Sequence, residues 1–154
     1  MIDKTAIIDP SAQIAEDAII GPNVVIGKNV KIGSKTRVIA NAYIEYAEIG
    51  EGCTISPFAT IGSEPQDLGY KGEETKVVIG DGTIIKENVT VHRGAACGDF
   101  TTRVGKKCLL MVGSHVAHNC VLEDEVILAN LVTLGGHVHV GFGAFVGGMS
   151  VFHQ

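Results

Sequence analysis

The chain has 154 residues, of which 17 are acidic and 12 basic, giving a formal net charge of −5 spread along its length. That size fits one domain, the mild acidity offers no basic face for nucleic acid, and no stretch approaches the ~20 apolar residues of a membrane span. The start, Met-Ile-Asp-Lys, has no charged segment leading into an apolar run, so a cytoplasmic location is expected. Aromatic residues make up only 5%, Trp is absent and Gly numbers 20, about twice the usual ~7% share. Ile (17) and Val (18) far outnumber Leu (7). β-branched side chains favour strands, so an almost all-β chain is expected, its interior filled by something other than large rings.

A six-residue period begins at Ile8 and runs IDPSAQ, IAEDAI, IGPNVV, IGKNVK, IGSKTR, VIANAY, each hexad led by an aliphatic residue. After a one-residue skip near Glu48 it resumes as IGEGCT and ISPFAT, breaks after Ile61, and returns as IGDGTI and IKENVT from Ile79. A second break follows Val91, and from Val104 the period is unbroken to VGGMSV. Of 22 lead positions, 21 are Ile, Leu or Val, against 42 such residues in the whole chain; Phe152 is the exception.

The fifth slot of each hexad is small or β-branched, from Ala12 and Ala18 through Thr36, Thr83 and Ser114 to Val138 and Ser150. Cys53, Cys108 and Cys120 occupy this slot, and no C-x-x-C pair exists among these and Cys97, so buried free thiols are expected rather than disulfides or a zinc site. A large apolar residue and a small one per hexad fit a triangular prism in which each hexad is a flat strand plus a corner. Three hexads make a coil of about 18 residues, and coils stack at the ~4.8 Å strand spacing. Gly or Asn is expected at corners that need positive φ. This is a hexapeptide-repeat solenoid, a parallel β-helix of about seven coils.

The interruptions from Gly62 to Val78 and from Gly94 to Arg103 are too long for corners and should project as two loops, on what is often a solenoid's working face. Five of the six histidines, His115, His118, His137, His139 and His153, fall in the last forty residues. His137 follows His118 by one coil plus one position, which predicts neighbours about 5 Å apart along the axis. His153 lies two coils plus two positions beyond His115, on about the same side. None of these four falls in a lead or fifth slot, so their side chains are expected to face a cleft. His139 is expected at a hexad corner in a bland role. His92 and Arg93, beside the second loop, are equally readable as a functional pair at a subunit boundary or as a structural surface element.

The opening hexads, the loop P-Q-D-L-G-Y-K-G-E-E-T, then V-T-V-H-R-G, S-H-V-A-H-N-C, G-G-H-V and V-F-H-Q together resemble the acyl-ACP:UDP-N-acetylglucosamine O-acyltransferases that begin lipid A synthesis. The resemblance implies a left-handed parallel β-helix over residues 1–154, assembled as a homotrimer with sites between neighbouring prisms, and lacking the family's C-terminal coils and helical domain. It implies transfer of an R-3-hydroxyacyl chain from acyl carrier protein to the sugar 3-hydroxyl, with no cofactor and no metal. By its place in S-H-V-A-H-N-C, His118 matches the catalytic base, a role that suits imidazole. Asp67, His115 and His137 are placed around the glucosamine, and Gln66, His153 and Gln154 toward the diphosphate and uridine. Backbone N–H groups near Gly136 are expected as oxyanion donors. Two departures stand out: Asn119 follows the base where many members have an acid, and Gly69 follows Asp-Leu where many have Lys, leaving Lys71 as a candidate phosphate contact.

Two other readings remain open at this stage. The chain could be a truncated, inactive trimeric solenoid. It could also be a zinc protein like the γ-class carbonic anhydrases, which share the prism and bind metal through three histidines across a subunit interface.

Overall fold

A computed structural model describes all residues 1–154. It contains 22 short strands and no helix. Each strand pairs in parallel with the strands three before and three after it, except at the ends of the prism where one neighbour is missing, which builds three sheets. The first sheet has eight strands, running from Ile7–Ile8 through Tyr43–Ile44, Thr60–Ser63, Thr90–His92, His115–Val116 and Thr133–Leu134 to Val151–Phe152. The second has seven, from Gln13–Ile14 through Lys31–Ile32, Ala47–Ile49, Lys76–Ile79, Thr101–Val104 and Val121–Leu122 to His139–Val140. The third also has seven, from Ile19–Ile20 through Arg37–Val38, Ile84–Ile85, Leu109–Leu110 and Ile127–Leu128 to Phe145–Val146. These sheets are the three walls of a prism.

Two residues per strand suffice because alternation turns the first side chain out and the second, the hexad lead, in. Lead residues from Ile20 to Leu134 are at most 3% exposed. Each such burial contributes roughly 1.5–3 kcal/mol. Burial falls off at Ile8, Ile14, Val146 and Phe152, in coils covered on one side only. The one-residue skip is real: Ile32 pairs with Ile49, one position short of the 18-residue coil that joins Ile8 to Ile26.

From Asn23 onward the residue before the fifth slot turns the corner with positive φ. Asn23, Asn29, Asn41, Asn88, Gly52, Gly82 and Gly113 occupy it as expected. Lys35, Phe58, Lys107, Glu125, Leu131, His137 and Met149 occupy it too, although a side chain there costs about 1–2 kcal/mol. The corner is held by its neighbours: the N–H of Lys107 donates to Asp81 O, that of Glu125 to Lys106 O and that of Leu131 to Val112 O, at 2.8–3.0 Å. Cys53, Cys108 and Cys120 are buried free thiols whose Sγ atoms donate to backbone carbonyls, and burial pushes the Cys120 thiol up to about 11.

The two excursions are shorter than the repeat suggests. Ser63 still pairs with His92, and Lys76–Val78 pair with Thr101–Arg103. Only residues 64–75 and 93–100 leave the walls. His139 is not at a corner; it begins a strand of the second sheet and contacts Glu123 at 2.8 Å.

Because each lead residue is enclosed by coils above and below, Leu128→Ala is expected to lower unfolding free energy by about 2–5 kcal/mol. The outward-facing Ile127→Ala should cost far less in the isolated chain. Denaturant unfolding of both variants measures the difference.

Candidate active site

The repeat positions a cluster of groups at one edge of the prism. His118 and Gly136 occupy the same hexad slot one coil apart. A Cβ on Gly136 would lie 2.6 Å from His118 Cε1 and Nε2, so only glycine leaves room for the ring. His137, the next residue, is a positive-φ corner whose N–H donates to His118 O at 3.0 Å. That bond sets the two rings edge-on with centroids 5.2 Å apart, the separation expected from their spacing.

Asn119 decides which His118 nitrogen is basic. Its buried amide forms a pair of hydrogen bonds with the Ala95 backbone: Ala95 N–H donates to Oδ1 at 2.9 Å, and Nδ2 donates to Ala95 O at 3.1 Å. A backbone N–H only donates and a carbonyl only accepts, so the amide orientation is determined. The same Oδ1 lies 2.9 Å from His118 Nδ1, which must therefore carry the proton. Nε2 keeps its lone pair. The Asn119 N–H is itself held by Thr102 Oγ1 at 2.9 Å.

The loops bring in two further groups. Asp67 Oδ1 accepts the Gly69 N–H at 2.9 Å, and its Oδ2 lies 3.4 Å from Cys97 Sγ. The Gly69 bond, then the Cys97 thiol, hold the Asp67 carboxyl below the usual carboxylate range. Cys97 Sγ also lies 3.3 Å from His137 Nε2. Cys97, His118 and His137 are the one group of histidine, cysteine and carboxylate side chains whose ligand atoms converge, all within 4.8 Å. No three-histidine set forms in the chain. Nothing in the sequence marked Cys97 for the cluster, except that it is the one cysteine outside the small-residue slot.

His115 lies three residues before His118, with Nδ1 at 2.7 Å from Thr90 Oγ1 and its ring edge-on to His92 at 4.9 Å. Burial pushes the His115 imidazole down and drives His92 down to about 4, helped by the nearby His115 ring. Nδ1 of His92 is buried with no partner. Arg93 is a buried pin rather than a surface residue. Its guanidinium donates to Gly62 O, Glu45 Oε1 and Tyr70 Oη at 2.8–3.1 Å and stacks over Tyr46 at 4.5 Å. Arg93 thereby ties the first loop to the prism.

The remaining candidates lie apart in the isolated chain. Gln66 is exposed in the first loop, and the Lys71 N–H donates to Glu73 Oε2 with no contact to the histidines. His153 and Gln154 are exposed in the last coil, with the His153 Cα 3.6 Å from where a Gly135 Cβ would sit. A half-open hollow of about 400 Å³ between Gln13, Lys31, Tyr46, Glu48, Lys76 and Phe100 lies on the second sheet and contains none of the histidines. The reactive groups instead line an open face.

The fold and this edge cluster define a hexapeptide-repeat β-helix protein of the acyltransferase type. Residues 2–65 match the family described as the GMPPB C-terminal domain. The acyl-[acyl-carrier-protein]–UDP-N-acetylglucosamine O-acyltransferase of Thermodesulfovibrio yellowstonii is 51% identical over 145 residues, which are 94% of this chain and 56% of that protein. The LpxA structure from Acinetobacter baumannii superposes with a TM-score of 0.98 at 45% identity, covering 99% of this chain and 60% of that one. The LpxA of Bacteroides fragilis, a UDP-N-acetylglucosamine acyltransferase, gives 0.81 at 37%, covering 96% and 67%. The chain belongs to the UDP-N-acetylglucosamine acyltransferase family, and its coil is left-handed. It spans little more than half the length of the curated relative it matches.

Two outcomes follow from this geometry. Arg93→Met removes the pin between loop and prism while Glu45 keeps access to water, so a stability loss of about 1–3 kcal/mol is expected, with faster hydrogen exchange in residues 64–75. His92 is neutral when folded and titrates near its ordinary 6.5 when unfolded. Its contribution is therefore complete above about pH 6.5 and is lost as pH falls toward 4. Unfolding midpoints over that window should drop in the parent protein and drop less in His92→Gln.

Proposed function

We propose that the protein transfers an R-3-hydroxyacyl chain from acyl carrier protein to the 3-hydroxyl of UDP-N-acetylglucosamine, the first step of lipid A synthesis. The observation that carries this reading is the fixed Nδ1–H tautomer of His118, with a free Nε2 lone pair beside Gly136. Nε2 removes the proton from the sugar 3-hydroxyl as its oxygen attacks the thioester carbonyl. The carbonyl oxygen becomes an oxyanion. The Gly136 N–H, which has no acceptor within the chain, donates to it in this reading, as the reaction requires. Collapse breaks the carbon–sulfur bond, and the imidazolium returns its proton to the leaving thiolate. Asn119 orients the base but supplies no full charge, so the imidazolium is stabilised by a dipole alone.

In the same reading Asp67, His115 and His137 surround the glucosamine, Gln66, His153 and Gln154 reach the diphosphate and uridine, and Lys71 meets a phosphate. Their separation in one chain fits a cleft completed by a neighbouring protomer. The outward faces support a cytoplasmic homotrimer. On the second sheet the outward residues include Lys31, Glu48, Arg103 and His139, suited to water. On the third, beyond Arg37 and Thr54, they are Ile84, Leu109, Ile127 and Phe145 on four successive coils, an apolar ladder of the kind that packs against another subunit.

In full-length protein, His118→Ala is expected to reduce turnover of a 3-hydroxyacyl carrier protein with UDP-N-acetylglucosamine by 10²–10⁴-fold, the range of general-base catalysis. Its oligomeric state should not change. A variant retaining more than about a tenth of the rate would remove His118 from the role. Asn119→Leu, which frees the tautomer, should lower turnover more than it raises the sugar-nucleotide KM.

A further inference from the structure

Cys97 takes no part in the transfer chemistry, yet it touches two of the groups placed in that chemistry. It reaches them from the second loop, with Sγ 3.3 Å from His137 Nε2 and 3.4 Å from Asp67 Oδ2. Ligand atoms of Cys97, His118 and His137 all lie within 4.8 Å of one another. In a tetrahedral zinc site, bond lengths of ~2.0–2.3 Å place neighbouring ligand atoms about 3.3–3.8 Å apart. The Cys97–His137 and Cys97–Asp67 separations already fall in that range. The His118 nitrogen lies within 4.8 Å of both Cys97 and His137 and so needs to close by about 1 Å. Asp67, which reaches Cys97 but stands outside that group of three, moves in with the exposed loop.

We propose that Cys97, His118 and His137, with Asp67 as fourth donor, form a binding site for a thiophilic divalent cation such as zinc, and that occupancy of this site switches the base off. The donor set of one thiolate, two imidazoles and one carboxylate suits tetrahedral zinc. The groups that would hold these ligands in position are also in place. His118 Nδ1–H donates to Asn119 Oδ1, which leaves Nε2 as the ligating atom, and a buried amide fixes the ring as outer partners of zinc-bound histidines do. Asp67 is oriented by the Gly69 N–H. Binding converts the Cys97 thiol to a thiolate, releases that proton to solvent, and forms metal bonds to sulfur, the two ring nitrogens and a carboxylate oxygen. The lone pair that would take the sugar proton is then held by the metal. Removing the metal restores it, so the inhibition is reversible.

The binding claim stands apart from the acyltransferase reading; the switch rests on it, and the experiment separates the two. Purified protein is titrated with Co²⁺ alone, then with Zn²⁺ in competition. One equivalent per chain is expected, with the near-ultraviolet thiolate-to-cobalt band and the strong visible bands of tetrahedral cobalt. Zn²⁺ should abolish both. Cys97→Ser should lose the thiolate band, and Cys97→Ser and His137→Gln should each bind at least about tenfold more weakly, with thermal unfolding unchanged. Absence of stoichiometric binding, or a thiolate band that survives in Cys97→Ser, overturns the site. In the acyl-transfer assay, Zn²⁺ should inhibit the parent protein, chelator should restore it, and Cys97→Ser should stay active at a Zn²⁺ concentration that halves the parent rate. Equal inhibition of parent and Cys97→Ser overturns the switch while leaving the cobalt result to decide the site. Absence of transfer in metal-free parent protein overturns the acyltransferase reading instead.

Discussion

Everything in this molecule hangs on the stacking of one coil on the next. The left-handed corner residues adopt a backbone conformation that costs a side chain about 1–2 kcal/mol. Most are held there because the N–H meets an oxygen one coil away, a carbonyl where Lys107 meets Asp81 and Leu131 meets Val112, a side-chain oxygen where Asn23 meets Thr5 and Asn119 meets Thr102. The lead residues repay that strain by filling a shaft from which water is excluded. Neither element would persist alone. A two-residue strand such as Leu109–Leu110 has no independent stability, and an isolated coil would leave its leads open on both sides.

The same stacking builds the candidate site. A side chain in a given slot is set against the residue in that slot one coil on, at the spacing of paired strands. His118 lies against Gly136, and His137 is hung from the His118 carbonyl by the ordinary corner bond. The proposed catalytic geometry is thus a local use of the structural repeat, with no dedicated framework of its own. Where the repeat is broken, the inserted segments supply what the walls cannot: Asp67 and Cys97 from the loops, and the Ala95 peptide that orients Asn119. Arg93 shows why a loop of this length holds its shape, since a single buried guanidinium joins Gly62, Glu45 and Tyr70.

In the proposed mechanism Asn119 separates two jobs that a carboxylate in its place would combine. An acid beside the base would orient the ring and also stabilise the imidazolium by charge. The amide keeps the first job, because Ala95 determines which of its ends faces His118, and gives up the second. Gly69 has a comparable effect in the loop. It offers no side chain, but its N–H holds the Asp67 carboxyl below the usual range and turned toward Cys97.

The six-residue period determined the walls, the lead core and the buried cysteines, because a strand this short leaves nothing to choose but which residues point in. It also placed His118 beside His137, since one coil plus one position is a fixed translation along the axis. Tertiary structure alone decided the rest. Corners accept Lys, Leu or His because inter-coil hydrogen bonds outweigh local preference. The excursions shrink to residues 64–75 and 93–100 because strand pairing continues past the last recognisable hexad lead. Arg93 is buried, and Cys97 joins the histidines, through contacts between segments dozens of residues apart. No periodicity records how two irregular loops fold against each other; only their packing on the prism does.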